Sequence, residues 1–300
     1  MRFPVSAFAI LTLAAGVLAG GDQASNGYPA SIDRWRQDRV ARLKADDGWL
    51  TVAGLFWLKE GANSAGSAGS SAIVLPRVPA HVGDFLFQDG LTTFKADPGV
   101  VVNVNGKPAS STAATTAALR SDSDPGGPDL VTVGRLTMFV IHRGERYAIR
   151  LKDPDSEFRA SFKGLHWYPV REDYRVIARW VAYEKPHNIA VSNILGETEH
   201  QLSPGYAVFT LHGHEYRLDP VLEGNQLFFI FRDQTSGKET YGSGRFLYTD
   251  LPKEGKVVID FNKAYNPPCA FTPYATCPLP PKQNRLAVRL DAGELNYAHK

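Results

Sequence analysis

The sequence predicts a mostly β chain of two packed β units, with one helix near the N-terminus. The units are an N-terminal β-sandwich and a C-terminal antiparallel sandwich or barrel. Three observations predict this. First, 20 prolines, 27 glycines and 11% aromatic side chains in 300 residues favour short strands joined by turns. Second, turn signals recur between short apolar or alternating runs. Third, helical periodicity is scarce after residue 46. A hydrophobic content of 43% is enough for one large domain or two modest ones.

The chain opens with Met1-Arg2, an uncharged run from Val5 to Leu18, and Val17-Leu18-Ala19 before Gly20. This is a secretory signal pattern, and the run is too short to span a bilayer. Residues 1–21 are therefore expected to be a signal peptide, which places the protein in a secreted or periplasmic location. Gly20 or Gly21 stands where a lipoprotein would carry its cysteine. No later stretch approaches ~18 uncharged apolar residues, so no transmembrane segment is expected.

Residues 31–46 read as the helix, with Ser31 as N-cap, Ile32, Trp35 and Leu43 on one face and Gly48 as the stop. Gly48 to Leu58 is apolar and aromatic and reads as buried in a sheet. Gly61 to Ala72 is rich in Gly, Ala and Ser and reads as a loop. Ile73 to Leu75, Gly83 to Phe87 and Val100 to Val104 read as strands, the last entering the hairpin turn Asn105-Gly106. Residues 109–129 read as a long exposed loop. Leu136 to Ile141 and Arg146 to Leu151 flank a second hairpin turn, His142 to Glu145. Further strands are expected at Arg175 to Tyr183, Asn188 to Ile194, Tyr206 to Leu211, Glu215 to Leu218, Phe246 to Tyr248, Lys256 to Phe261 and Leu286 to Leu290. Leu227 to Phe231 is apolar throughout, as a strand covered on both faces must be. The organisation expected is 1–21 signal, 22–150 helix and first β unit, and 151–300 second β unit.

With 33 basic against 31 acidic side chains, the net charge of +2 lacks the concentrated basic excess of a nucleic-acid binder. No cofactor is indicated, and oligomeric state is not legible. The two cysteines, Cys269 and Cys277, are most simply a disulfide in an oxidising compartment, with free structural thiols or a metal or redox role as alternatives. Two cysteines supply only half of a tetrahedral zinc site, so no metal site is assigned.

Several motifs fail. Around Gly237-Lys238 the earlier glycine and the following Ser or Thr of a phosphate loop are missing. Gly242-Ser243-Gly244 lacks the third glycine of a dinucleotide fingerprint, and Thr240 stands where a nucleophile elbow needs its first glycine. His212 and His214 share a strand face without a third ligand and read as a polar hairpin tip.

Two blocks are chemically dense: Phe231 to Tyr248, and Asp260 through the run Tyr265-Asn266-Pro267-Pro268-Cys269-Ala270-Phe271-Thr272-Pro273-Tyr274-Ala275-Thr276-Cys277-Pro278-Leu279-Pro280-Pro281. Together with Gly48-Trp49-Leu50, Gly54 to Leu58 and Gly293-Glu294, they closely resemble the bacterial family called domain of unknown function 1684. Arg150, Asp153, Arg159, Trp167, Tyr174 and Arg175 sit in stretches similar to that family's middle block. The resemblance implies a kinship of fold and no mechanism. In the first half, the order Gly61, Gly66-Ser67, Ile73-Val74-Leu75, Asn103 to Gly106 and Val133-Gly134 resembles a forkhead-associated β-sandwich. The phosphopeptide-reading residues of that fold are missing, so this likeness concerns shape alone.

Four arginines, Arg150, Arg175, Arg232 and Arg245, come from strand-like segments. Guanidinium is suited to planar, bidentate recognition of carboxylate or phosphate. With Tyr265, Asn266 and Asn284 as orienting groups, they are expected to bind a small anionic or sugar-like ligand. Two other classes compete. One is a hydrolase using Asp233 or Glu239 as general acid or base with Tyr241 assisting. The other is a structural or partner-binding envelope protein using the aromatic Gly48 to Leu58 segment or a sheet edge, in which these pairs merely pin loops over a β core.

Overall fold

The computed structural model describes residues 27–109, 112–113, 115 and 118–297. The expected signal segment lies outside the described residues. Helix α1 (Tyr28–Lys44) starts earlier than Ser31, because Pro29 in its first turn fixes a helical φ and needs no donor. Ser31 instead donates its hydroxyl to the Tyr28 carbonyl at 2.6 Å. Ile32, Arg39 and Leu43 are its buried residues.

The first unit contains β1 (Val52–Trp57), β2 (Gly61–Gly66), β3 (Ile73–Val74), β4 (Gly83–Gln88), β5 (Leu91–Ala96), β6 (Val102–Val104), β7 (Lys107–Pro108), β8 (Val131–Val133), β9 (Leu136–Arg143) and β10 (Arg146–Lys152). They form a six-stranded sheet, β1-β10-β9-β8-β6-β7, and a four-stranded sheet, β3-β2-β4-β5. The inner faces of both sheets share one core, with Phe85 and Phe94 from one and Met138, Val140, Ile149 and Leu151 from the other. Both expected hairpin turns form. Asn105 and Gly106 take positive φ between β6 and β7, and Gly144 does so between β9 and β10. The Gly61 to Ala72 loop is corrected in its first half, which is β2. Its small side chains form a strand because β3 and β4 pair with its two edges. The expected exposed loop 109–129 also needs correction, since Leu119, Ser121 and Asp129 are buried.

After the short α2 (Glu157–Ala160), the second unit contains β11 (Arg175–Ser192), β12 (Thr198–Leu211), β13 (His214–Leu218), β14 (Val221–Glu223), β15 (Gln226–Phe231), β16 (Arg245–Asp250) and β17 (Lys256–Asp260). Sheet β13-β12-β11-β17 faces sheet β14-β15-β16 across a core of Phe209, Leu227, Phe229, Phe231, Leu247, Ile259 and Phe261. β15 is central and buried on both faces, as its unbroken apolarity requires. The two strands expected at 175–183 and 188–194 are one strand, β11, with a register shift between Ala182 and His187. A bulge breaks the alternation without breaking the strand.

Beyond β17 the chain becomes a strap. Leu286, Val288 and Leu290 alternate and are buried, yet they form no strand. Their backbone bonds go instead to the loop after β15, with Leu286 N–H on the Arg232 carbonyl and Gln234 N–H on the Val288 carbonyl. Gly244, at φ +112°, lets the strap pass close, since a Cβ there would meet the Phe231 carbonyl and Pro280. The disulfide Cys269–Cys277 closes a loop of this strap. The strap also ties the units together: Thr272 donates to the Val52 carbonyl at 3.0 Å. No helix among the described residues is long and apolar enough to cross a membrane.

Candidate functional site

The sequence-predicted site residues divide into separate environments. Arg245 and Asp233 are fully buried and paired at 2.7 Å. Arg245 also donates to the carbonyls of Leu290 and Ala292. The second carboxylate oxygen of Asp233 accepts from the Thr235 N–H and hydroxyl and from Leu290 N–H. Asn284 is likewise consumed internally, bonding Asp219 in both directions and the Ile230 carbonyl. Arg232 bonds through its backbone to Asn284 and Leu286. Arg175 is exposed on β11, over the Tyr28 ring. Glu239 pairs with Arg289 at 3.2 Å, and Tyr241 donates to the Cys269 carbonyl at 3.1 Å.

Tyr265 lines a cavity of about 700 Å³ between the two units; Arg150 and Asn266 do not line it but contact lining residues, Arg150 through Thr276 and Trp49 and Asn266 through Arg39. Five aromatic residues line it: Trp49, Phe228, Phe246, Tyr248 and Tyr265. Phe228 stacks on Tyr248 with centroids 4.5 Å apart and meets Phe246 edge-on at 4.9 Å. This follows from their placement on β15 and β16, in which Phe228 and Tyr248 are directly opposite. One wall is the disulfide loop, through Pro268, Thr276, Cys277 and Pro278. Neither Asp233 nor Glu239 lines the cavity.

The polar side of the cavity is built from β9, β10 and the strap. Arg143 holds Asp122 with both terminal nitrogens, at 2.9 and 2.6 Å, and its Nε donates to the Thr276 hydroxyl at 2.9 Å. Arg150 donates to the same hydroxyl at 3.4 Å and lies 5.1 Å from the Trp49 ring centroid. Arg150 is 3% exposed, its Nε is buried without a partner, and it forms no ion pair among the described residues. Burial pushes its pKa down to about 10, with the nearby Arg143 charge adding to the effect and Asp122 opposing it.

A second polar group reaches the cavity through Arg39, which lines it beside Tyr265. Arg39 of α1 donates to the Asn266 carbonyl at 2.9 Å, sits 4.4 Å from the Tyr265 ring centroid, and is 3.5 Å from Glu294. Glu294 is fully buried, and one of its oxygens has no partner. Burial raises its pKa to about 7 against the opposing charge of Arg39. Burial also raises Tyr265 and Tyr248, so both phenols stay neutral donors.

Arg39, Trp49, Arg143 and Thr276 join this region without having stood out in the sequence as site residues. Arg39 had a signal: it falls four residues after Trp35 and four before Leu43, so a charge sits on the core-facing stripe of the helix. Thr276 and Arg143 had none, because 133 positions separate the two partners.

Residues 160–295 match the family described as Protein of unknown function (DUF1684). An uncharacterised protein of Haloarcula marismortui, with a structure determined in solution by NMR, is 33% identical over 46% of this chain and 78% of that chain, with a TM-score of 0.39. No curated protein matches the chain.

Proposed function

We propose, for a chain that belongs to the family Protein of unknown function (DUF1684), that it binds a small anionic or sugar-like ligand in the cavity between its two β units. The observation that carries this reading is Arg150. A buried guanidinium normally answers a carboxylate, because an uncompensated buried charge is costly. Among the described residues Arg150 answers only a threonine hydroxyl and an aromatic face, both of residues that line the cavity. The cavity falls in the range of about 300–1,000 Å³ that small-molecule sites occupy. An anion bound near Arg143 and Arg150 would supply the missing counter-charge, and the aromatic walls would take the ligand's body.

This reading keeps the exported location expected from residues 1–21, and an intramolecular disulfide is compatible with it. The test is a thermal-shift screen of the protein against small acids, sugars and phosphorylated metabolites. A ligand at one hundred times its dissociation constant stabilises by about 2.7 kcal/mol. At roughly 2–4 °C per kcal/mol for a chain of this size class, that is a clear upward shift. Silence across acids and sugars at millimolar concentration would sink the ligand reading and favour a structural envelope role.

A further inference from the structure

Resting on that binding reading, we infer that the ligand is an acidic sugar, whose carboxylate is taken by the Thr276 hydroxyl in the field of Arg143 and Arg150.

Thr276 fixes the polarity of the site. A hydroxyl has one hydrogen to donate and two lone pairs to accept with. Both lone pairs are occupied by guanidinium N–H groups, from Arg143 Nε and Arg150 Nη2. The Thr276 hydrogen is thereby directed to an acceptor, and no acceptor is provided for it among the described residues. Thr276 lines the cavity, so the acceptor belongs to the ligand. Two guanidiniums withdraw density from this oxygen, which strengthens its O–H as a donor. Against the single carboxylate of Asp122 they leave a net positive charge at this point, which favours an anionic acceptor over a neutral carbonyl. Thr276 cannot slide away: its neighbour Cys277 is held by the disulfide, and the Cys277 carbonyl accepts from Ile194 N–H at 3.1 Å.

The rest of the lining has room for hydroxyl donors at its exposed rim. Glu199 and Glu223 face the cavity, and each carboxylate accepts one hydrogen bond within the described protein, from Gln201 at 3.4 Å and Tyr248 at 2.5 Å respectively. A carboxylate has about four acceptor sites, so both keep capacity for ligand O–H groups. A purely aromatic or aliphatic acid offers these two carboxylates no hydroxyl donor. A neutral sugar can accept the Thr276 hydrogen on a hydroxyl oxygen but leaves the Arg150 charge without a counter-charge. A hydroxylated ring bearing a carboxylate satisfies both sets, and the stacked Phe228–Tyr248 face offers its C–H-rich side a flat apolar platform.

The experiment is calorimetric titration of the full chain with three probes: digalacturonic acid, the neutral disaccharide maltose, and benzoate. Digalacturonic acid is expected to bind at least ~10-fold more tightly than either of the others, since a charge-assisted bond lost leaves a buried group unpaired. Thr276→Val, which keeps the shape, should lose ~10-fold or more for the acid sugar, and Thr276→Ser should restore it. Digalacturonic acid binding no better than maltose or benzoate would overturn the assignment, as would parent-like affinity in Thr276→Val. If benzoate or another compound binds while the acid sugar does not, the cavity reading stands and the sugar-acid assignment falls. If nothing binds, both fall.

Discussion

Replacing Arg245 by Met removes the central cation of the chemically densest block in the sequence, and the structure sets the size of the effect. Arg245 and Asp233 are both fully buried, 2.7 Å apart, with two backbone carbonyls also bonded to the guanidinium. Met fills much of the volume but leaves the Asp233 carboxylate charged, dry and short of one partner. Breaking one half of a buried pair costs about 3–5 kcal/mol. At roughly 2–4 °C per kcal/mol, the melting temperature should fall by about 6–20 °C. The assay is thermal unfolding followed by circular dichroism, with Arg232→Met as the comparison. Arg232 bonds through its backbone, so its substitution should stay within about 0.5 kcal/mol of the parent. An Arg245→Met protein that melts within 2 °C of the parent, or an Arg232→Met protein that falls as far as Arg245→Met, would mean that the buried Arg245–Asp233 pair does not hold the strap.

Two further predictions concern stability. Glu294 has its pKa raised from the ordinary 4.5 to about 7, so as pH rises through that window the unfolded chain releases its proton first and stability falls, by about 3 kcal/mol over the whole range. Glu294→Gln should therefore gain on the parent as pH climbs from 5 to 8 in a series of melting curves, and a difference that does not change with pH would contradict this. Replacing both Cys269 and Cys277 by Ser opens a loop of sequence separation 8 and should cost about 2.5 kcal/mol, read as a lower melting temperature than that of the unreduced parent. Parent-like melting of the double variant would count against a constraining disulfide.

The sequence was most legible where a local rule dictates the backbone. Asn105-Gly106 and His212-Gly213 sit in tight turns that need positive φ; the second joins the strands expected on either side, and the first follows the expected strand and leads into the short β7. Leu227 to Phe231 carries its double burial in its composition. Legibility failed where tertiary pairing overrides composition. Gly61–Gly66 has almost no apolar signal and is a strand because neighbours pair with it, whereas Leu286 to Leu290 has a strand's alternation and spends its backbone bonds on a loop. The cavity shows the same limit. Arg150 and Tyr265 were readable as unusual residues in apolar or constrained surroundings, and both reach the inter-unit region. Their companions Arg39, Trp49, Arg143 and Thr276 come from α1, the turn before β1, the end of β9 and the strap, a constellation only the fold assembles. Conversely, Asp233, Arg245 and Asn284 are polar enough to suggest a site, yet every one is absorbed in holding the strap to the core.

The most direct test of the ligand-binding account is the melting temperature of Arg150→Met, measured with and without the best compound from the acid and sugar screen. An unpaired buried charge weakens the empty fold, since its pKa displacement from 12.5 to about 10 corresponds to about 3 kcal/mol of charging penalty. Removing it gives up a bond to Thr276 and a contact with Trp49, each worth about 1 kcal/mol. The empty variant is expected to melt at or above the parent while the ligand-induced shift disappears. A variant that melts 6 °C or more below the parent, or that keeps the parent's ligand-induced shift, would mean that Arg150 serves the fold and not the ligand.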